Sequence, residues 1–272
     1  MILASCRKNF VSEKFLSADL QFRDYPALDQ STNFSALTLA NLQAKARDRH
    51  VCLLVHGYSN PLGNVLGAYA ELQTRMESAG ILGLFNYGLL VGFTWPGWLG
   101  PGFPIARTSA ERAGKHLRQL VNDLRPAALS IDIQTHSLGA RVALAALKPP
   151  KGVFVDNLLL SAPAVDCTIL QPGREFHDSL DACNSCLVYH SRRDDVLRKF
   201  FPVGDAGDSI CPALGLNGPR RPAAALKQNP NLYYIDCTSC VPDHGGYRKA
   251  AQYYAHWSRV LSGNALASSE KL

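Results

Sequence analysis

No apolar run in this chain is long enough to cross a membrane, because the longest apolar region, Ile81 to Phe93, is interrupted by Asn86 and by glycines. The N-terminus lacks the order of a signal peptide, which sets a basic stretch before a long apolar run and a small-residue cleavage site. Stable membrane insertion is thereby excluded, and a cytoplasmic location is expected. No repeat, low-complexity tract or Pro/Gly/Ser linker divides the 272 residues, so residues 1–272 are expected to form a single domain. Basic stripes interleaved with aromatics are missing too. The net charge of +6 is scattered, as in Arg192-Arg193, Lys199 and Arg220-Arg221, which argues against a nucleic-acid face and leaves a mild preference for anionic partners.

What is present is core-forming material, 47% apolar against 18% charged, enough for one large α/β domain. Short β-branched runs such as Val51 to Val55, Leu129 to Gln134 and Leu187 to His190 alternate with helix-forming runs such as Ala140 to Leu147. That alternation predicts a mostly parallel, doubly wound sheet with helices on both faces. Residues 198–231, rich in glycine and proline and poor in helical periodicity, read as an irregular substrate-shaping loop or lid.

Eight cysteines include two C-x-x-C pairs, Cys183/Cys186 and Cys237/Cys240. Such pairs usually suggest zinc. Here one pair enters a strand and the other leaves the next, so a whole strand separates them. No metal and no cofactor is expected, and each pair is either reduced or, in an oxidising setting, a disulfide.

The chemistry is carried by three separated stretches. Thr135-His136-Ser137-Leu138-Gly139 lies between a strand-like and a helix-like run, which places Ser137 on a sharp strand-to-helix corner with its hydroxyl exposed. The first glycine expected of such an elbow is replaced by Thr135. Upstream, Val51-Cys52-Leu53-Leu54-Val55-His56-Gly57-Tyr58-Ser59-Asn60 reads as a buried strand running straight into a loop. The backbone N–H groups of Tyr58 and Leu138 are placed to receive an oxyanion, whereas His56 is expected to orient backbone rather than transfer protons. Downstream, the turn after Leu187-Val188-Tyr189-His190 carries two carboxylates, Asp194 and Asp195, and His244 lies in the loop behind Leu232-Tyr233-Tyr234-Ile235. Serine, acid and histidine thus follow in the order used when a nucleophile sits after a middle strand of an α/β sheet. Asp166 is an outside candidate for the acid. Tyr58, Trp95 and Trp98 are candidate substrate contacts, the tryptophans either walling an acyl or alcohol pocket or covering the core edge.

With these stretches in view, the sequence resembles the α/β-hydrolases. Leu53 to Asn60, Phe93-Thr94-Trp95-Pro96 and Thr135 to Arg141 resemble a bacterial branch known mainly as a domain of unknown function, whose pattern runs approximately HGYNN, SWPS and HSMG. The resemblance spans about Val51 to Trp257. It implies Ser137 as nucleophile, His244 as base and Asp194 as the orienting acid, favoured over Asp195 by the hydrophobic pair that follows. The activity it implies is cleavage of a small-molecule carboxylic ester through an acyl-enzyme. Acyl transfer or thioester cleavage with the same residues is the nearest alternative, and a non-catalytic binding protein on the same scaffold is the alternative of another class.

Overall fold

A computed structural model describes residues 1–28, 33–83, 86–97, 102–148, 154–204 and 211–272. The elements run β1 (Ile2–Arg7), β2 (Leu16–Asp24), β3 (Ser35–Leu37), α1 (Leu39–Ala46), β4 (His50–Val55), α2 (Leu62–Ser78), β5 (Tyr87–Thr94), α3 (Phe103–Leu124), β6 (Ser130–His136), α4 (Gly139–Leu147), β7 (Val155–Ser161), β8 (Cys183–His190), α5 (Asp195–Gly204), α6 (Leu214–Asn217), α7 (Pro222–Gln228), β9 (Leu232–Asp236), α8 (Ala251–Leu261) and β10 (Ser269–Lys271).

All described strands belong to one sheet in the order β10-β9-β8-β7-β6-β4-β5-β1-β2-β3. Every neighbouring pair is parallel except β1 with β2 and β2 with β3. The predicted α/β-hydrolase architecture is therefore the one observed. The central strands β4 and β6 are buried along almost their whole length; β4 runs apolar from Val51 to Val55, whereas β6 carries Asp132, Gln134 and Thr135 as buried polar residues. After β4 the chain winds out to β5, then crosses back to β6 and continues outward through β7, β8 and β9. The loops leaving β4 and β6 therefore diverge at a switch point, where α/β sheets open a crevice at the carboxyl ends of their strands.

Two regions differ from expectation. The antiparallel edge of β2 and β3 is absent from the sequence reading because Leu16 to Asp24 is nowhere fully buried and shows no clean apolar alternation. Residues 198–231 hold the end of α5 and all of α6 and α7 rather than irregular chain, although residues 205–210 lie outside the described ones. Proline and glycine interrupt these helices often enough to hide their periodicity.

Cys211 is bonded to Cys167, a pairing the C-x-x-C spacing did not point to. Cys183, Cys186, Cys237 and Cys240 are free thiols. The disulfide pins the segment before α6 along the chain leaving β7, where Leu214 N–H also donates to Val165 O at 2.7 Å and Gly215 N–H to Pro163 O at 2.9 Å. Its two cysteines are 44 residues apart. By chain entropy alone, closing such a loop stabilises the fold by about 4 kcal/mol. The Cys167→Ser, Cys211→Ser double variant is expected to lose stability of that order in urea unfolding. An unchanged midpoint would show that packing alone holds this segment.

Candidate active site

Ser137 has φ +56°, in the left-handed region, where a side chain costs about 1–2 kcal/mol. The strain is held by backbone on three sides. Ser137 N–H donates to Ser161 O at 3.0 Å, and Ser137 O accepts from Ala140 N–H and Ala164 N–H, both at 3.1 Å. Only glycine fits two residues on, because a Cβ at Gly139 would lie 2.6 Å from the carbonyl oxygens of Val55 and His56. Thr135, standing where a small residue is expected, is accommodated by full burial with its hydroxyl donating to Leu159 O at 3.3 Å.

The loop leaving β4 passes directly over the serine. A Cβ at Gly57 would come within 2.8 Å of Ser137 Cβ and 3.0 Å of His136 O. Tyr58 follows at once, and Leu138 opens α4 where an N–H has no partner inside the helix. Leu138 directly follows Ser137, and Tyr58 directly follows the glycine that lies against it.

His56 behaves as expected of a structural imidazole. Its Nε2 accepts from Trp95 N–H at 3.1 Å, so Nδ1 carries the proton and donates to Gly57 O at 2.8 Å. Burial, with Arg7 beside it, pushes its pKa well below the usual histidine range. Trp95 stacks on this ring at 5.5 Å, donates its indole N–H to His56 O at 2.8 Å and is fully buried. The reading that Trp95 walls a substrate pocket therefore gives way to the other one, a ring closing the core behind the loop. Trp98 lies outside the described residues. Tyr58 is half-buried.

Of the candidate acids, Asp194 alone meets His244. It is fully buried, with Oδ2 accepting from His244 Nδ1 at 2.7 Å and Oδ1 accepting from Leu197 N–H at 2.9 Å in the manner of a helix N-cap. Asp195, exposed one residue on, pairs instead with Arg198 and Lys199 at 3.0 and 3.6 Å. Asp166 is turned back on its own loop, accepting from Thr168 N–H and its hydroxyl at 2.8 and 2.7 Å. The acid and histidine loops are tied by Ser191 Oγ, which donates to Val241 O at 2.7 Å.

His244 reaches the elbow through His136, whose role the sequence reading missed. His136 Nε2 donates to His244 O at 2.7 Å, and the two rings lie 4.6 Å apart. No hydrogen bond joins Ser137 Oγ to His244, whose Nδ1 meets Asp194 and whose carbonyl accepts from His136. A cleft of about 720 Å³ lined by Lys45, His50 and Tyr87 lies at the opposite, N-terminal ends of the strands and is far from this chemistry.

Buried His56, His190 and His256 and half-buried His136 make stability depend on acid. Desolvation, then the neighbouring His244, holds His136 down to about 3, and His56 is lowered as well. Unfolded histidines titrate near 6.5, so the unfolded chain takes up these two protons first and the stability present above pH 6.5 is lost as pH falls towards 3. Asp132, buried on β6 and pushed up to about 6, works in the opposite sense between about 6 and 3.8. His190 and His256, lowered mainly by burial, act in the same direction as His136 and His56, so a net loss of stability is expected as pH falls below 6. Urea midpoints measured from pH 7 to 4.5 check this, and a flat profile would contradict it.

A family model described as an alpha/beta hydrolase of unknown function (DUF900) matches residues 32–200. No curated protein matches the chain. Among solved structures, the esterase Pf2001 of Pyrococcus furiosus is similar at 12% identity over 96% of this chain and 90% of that one, with a TM-score of 0.47. A phosphonate-inhibited esterase B from Lactobacillus rhamnosis is similar at 10% identity over 89% and 84%, with a TM-score of 0.44. Esterase 2 of Thermogutta terrifontis is similar at 12% identity over 80% and 82%, with a TM-score of 0.40.

Proposed function

Because the chain belongs to the alpha/beta hydrolases of unknown function DUF900, we propose that it is a serine hydrolase that cleaves carboxylic esters of small molecules. Ser137 Oγ attacks the ester carbonyl while His244 Nε2 takes its proton. Asp194 keeps the other proton on Nδ1 and stabilises the imidazolium that forms. The N–H groups of Tyr58 and Leu138 receive the oxyanion, and His244 returns the proton to the departing alcohol. Water, activated by the same imidazole, then releases the acid from the acyl-enzyme.

The observation that carries this reading is the 2.7 Å pair between His244 Nδ1 and a fully buried Asp194, linked through His136 to a serine in left-handed conformation. A neutral imidazole oriented in this way has its second nitrogen available as a base. The test is to incubate the protein with an alkyl fluorophosphonate and locate the adduct by peptide mass spectrometry, alongside turnover of p-nitrophenyl butyrate. A single adduct on Ser137 is expected. Turnover without that adduct, or neither, would sink the proposal, and the second outcome favours a binding protein.

No helix among the described residues is long and apolar enough to cross a membrane. Disulfides such as Cys167–Cys211 persist in oxidising compartments, which weighs against the cytoplasmic location expected from the sequence.

A further inference from the structure

Arg7, the last residue of β1, is fully buried, and no carboxylate among the described residues pairs with it. A guanidinium in that position loses its hydration without gaining a counter-ion, which ordinarily destabilises a fold by several kcal/mol. Desolvation lowers its pKa to about 10, so it remains a cation at neutral pH. Nε and Nη1 have no hydrogen-bond partner among the described residues. Such an arrangement calls for an explanation beyond packing.

Its one engaged nitrogen supplies it. Arg7 Nη2 donates to Asn60 O at 2.9 Å and lies 3.2 Å from His56 Nε2. His56 and Asn60 are the two ends of the loop that crosses the nucleophile, so a single nitrogen grips both. The interior of the loop is closed by Asn60 Nδ2, which donates to Gly57 O at 3.2 Å and Tyr58 O at 2.8 Å. Ser59, at φ +58°, donates its N–H to Gly97 O at 2.8 Å. Gly57, held between these points, is the residue laid against Ser137, and Tyr58 follows it in the chain. Loop conformation here is therefore set from outside the loop, by a residue at the far end of the sequence.

We propose that Arg7 is a positioning residue for the esterase reaction, clamping the 56–60 loop so that the Tyr58 N–H faces the developing oxyanion. The inference rests on the ester-hydrolase reading above. A preorganised oxyanion donor that is engaged only in the transition state raises kcat and leaves substrate binding almost untouched.

The test compares wild type with Arg7→Met and Arg7→Lys. In Arg7→Met, kcat is expected to fall about a hundred- to a thousandfold, as when an oxyanion donor is removed, with KM within about threefold of wild type. The fluorophosphonate labelling rate should fall by the same factor. Arg7→Lys, which keeps the charge and one donor, should recover at least about tenfold of the lost kcat. Because the methionine side chain removes a buried unpaired cation, its melting temperature should not fall below that of wild type. Unchanged kcat, or a loss of activity that follows a lowered melting temperature or failure to fold, overturns the proposal by assigning Arg7 to structure alone. Hydrogen exchange separates the two readings. If wild type neither turns over esters nor labels on Ser137, the ester reading fails by itself. Faster exchange at 57–60 in Arg7→Met then still supports the clamp, and unchanged exchange refutes it.

Discussion

Replacing Ser137 with alanine is expected to lower turnover of p-nitrophenyl butyrate by about a millionfold, the scale seen when a serine enzyme loses its nucleophile. The change removes one oxygen and leaves the strained corner standing, since φ +56° is enforced by the backbone bonds to Ser161, Ala140 and Ala164 rather than by the hydroxyl. Folding should therefore be intact, and circular dichroism and melting serve as controls. The fluorophosphonate adduct should vanish with turnover. Retained turnover in this variant would place the nucleophile elsewhere, and the reaction proposed here would have to be abandoned.

Asp194→Asn is expected to cost about ten thousandfold in kcat. The amide oxygen still accepts from Leu197 N–H at the start of α5, so the helix cap survives. Its NH₂ group then faces His244 Nδ1, where the carboxylate accepted a hydrogen bond at 2.7 Å. A donor there turns Nδ1 into the acceptor and puts the imidazole proton on Nε2, which can no longer take a proton from serine. Asp195→Asn, which disturbs only the exposed pairs with Arg198 and Lys199, should remain within about twofold of wild type, since such pairs are worth little. Equal losses in both variants, measured as kcat on the same ester, would remove Asp194 from the proposed role.

The choice between these neighbouring aspartates shows what a sequence reading reaches and where it stops. A turn with two carboxylates is visible in the chain, but which one points inward depends on how α5 begins. Asp194 is the cap and faces the core, and Asp195 is the first helical residue and faces water. A cap signal was present, an aspartate ahead of Val196 and Leu197, and it agrees with the choice that family resemblance favoured. For Cys167 and Cys211 there was no such signal, because their approach depends on the path of the chain between β7 and α6. Arg7 is a similar case. A cation ending an apolar strand is conspicuous only once β1 is known to lie beside β5 with the 56–60 loop at its end.

From the sequence alone came the parallel sheet, the strained serine corner and the crossing loop of the 56–60 region, because each is encoded by residues adjacent in the chain: β-branched runs, a glycine at 139, apolar residues ending in His-Gly. Tertiary structure alone decided which carboxylate meets His244, that His136 bridges the elbow to the histidine loop, that Trp95 closes the core, and that a buried Arg7 grips both ends of that loop. Those outcomes depend on the direction in which side chains from distant segments point, and local pattern carries no record of it.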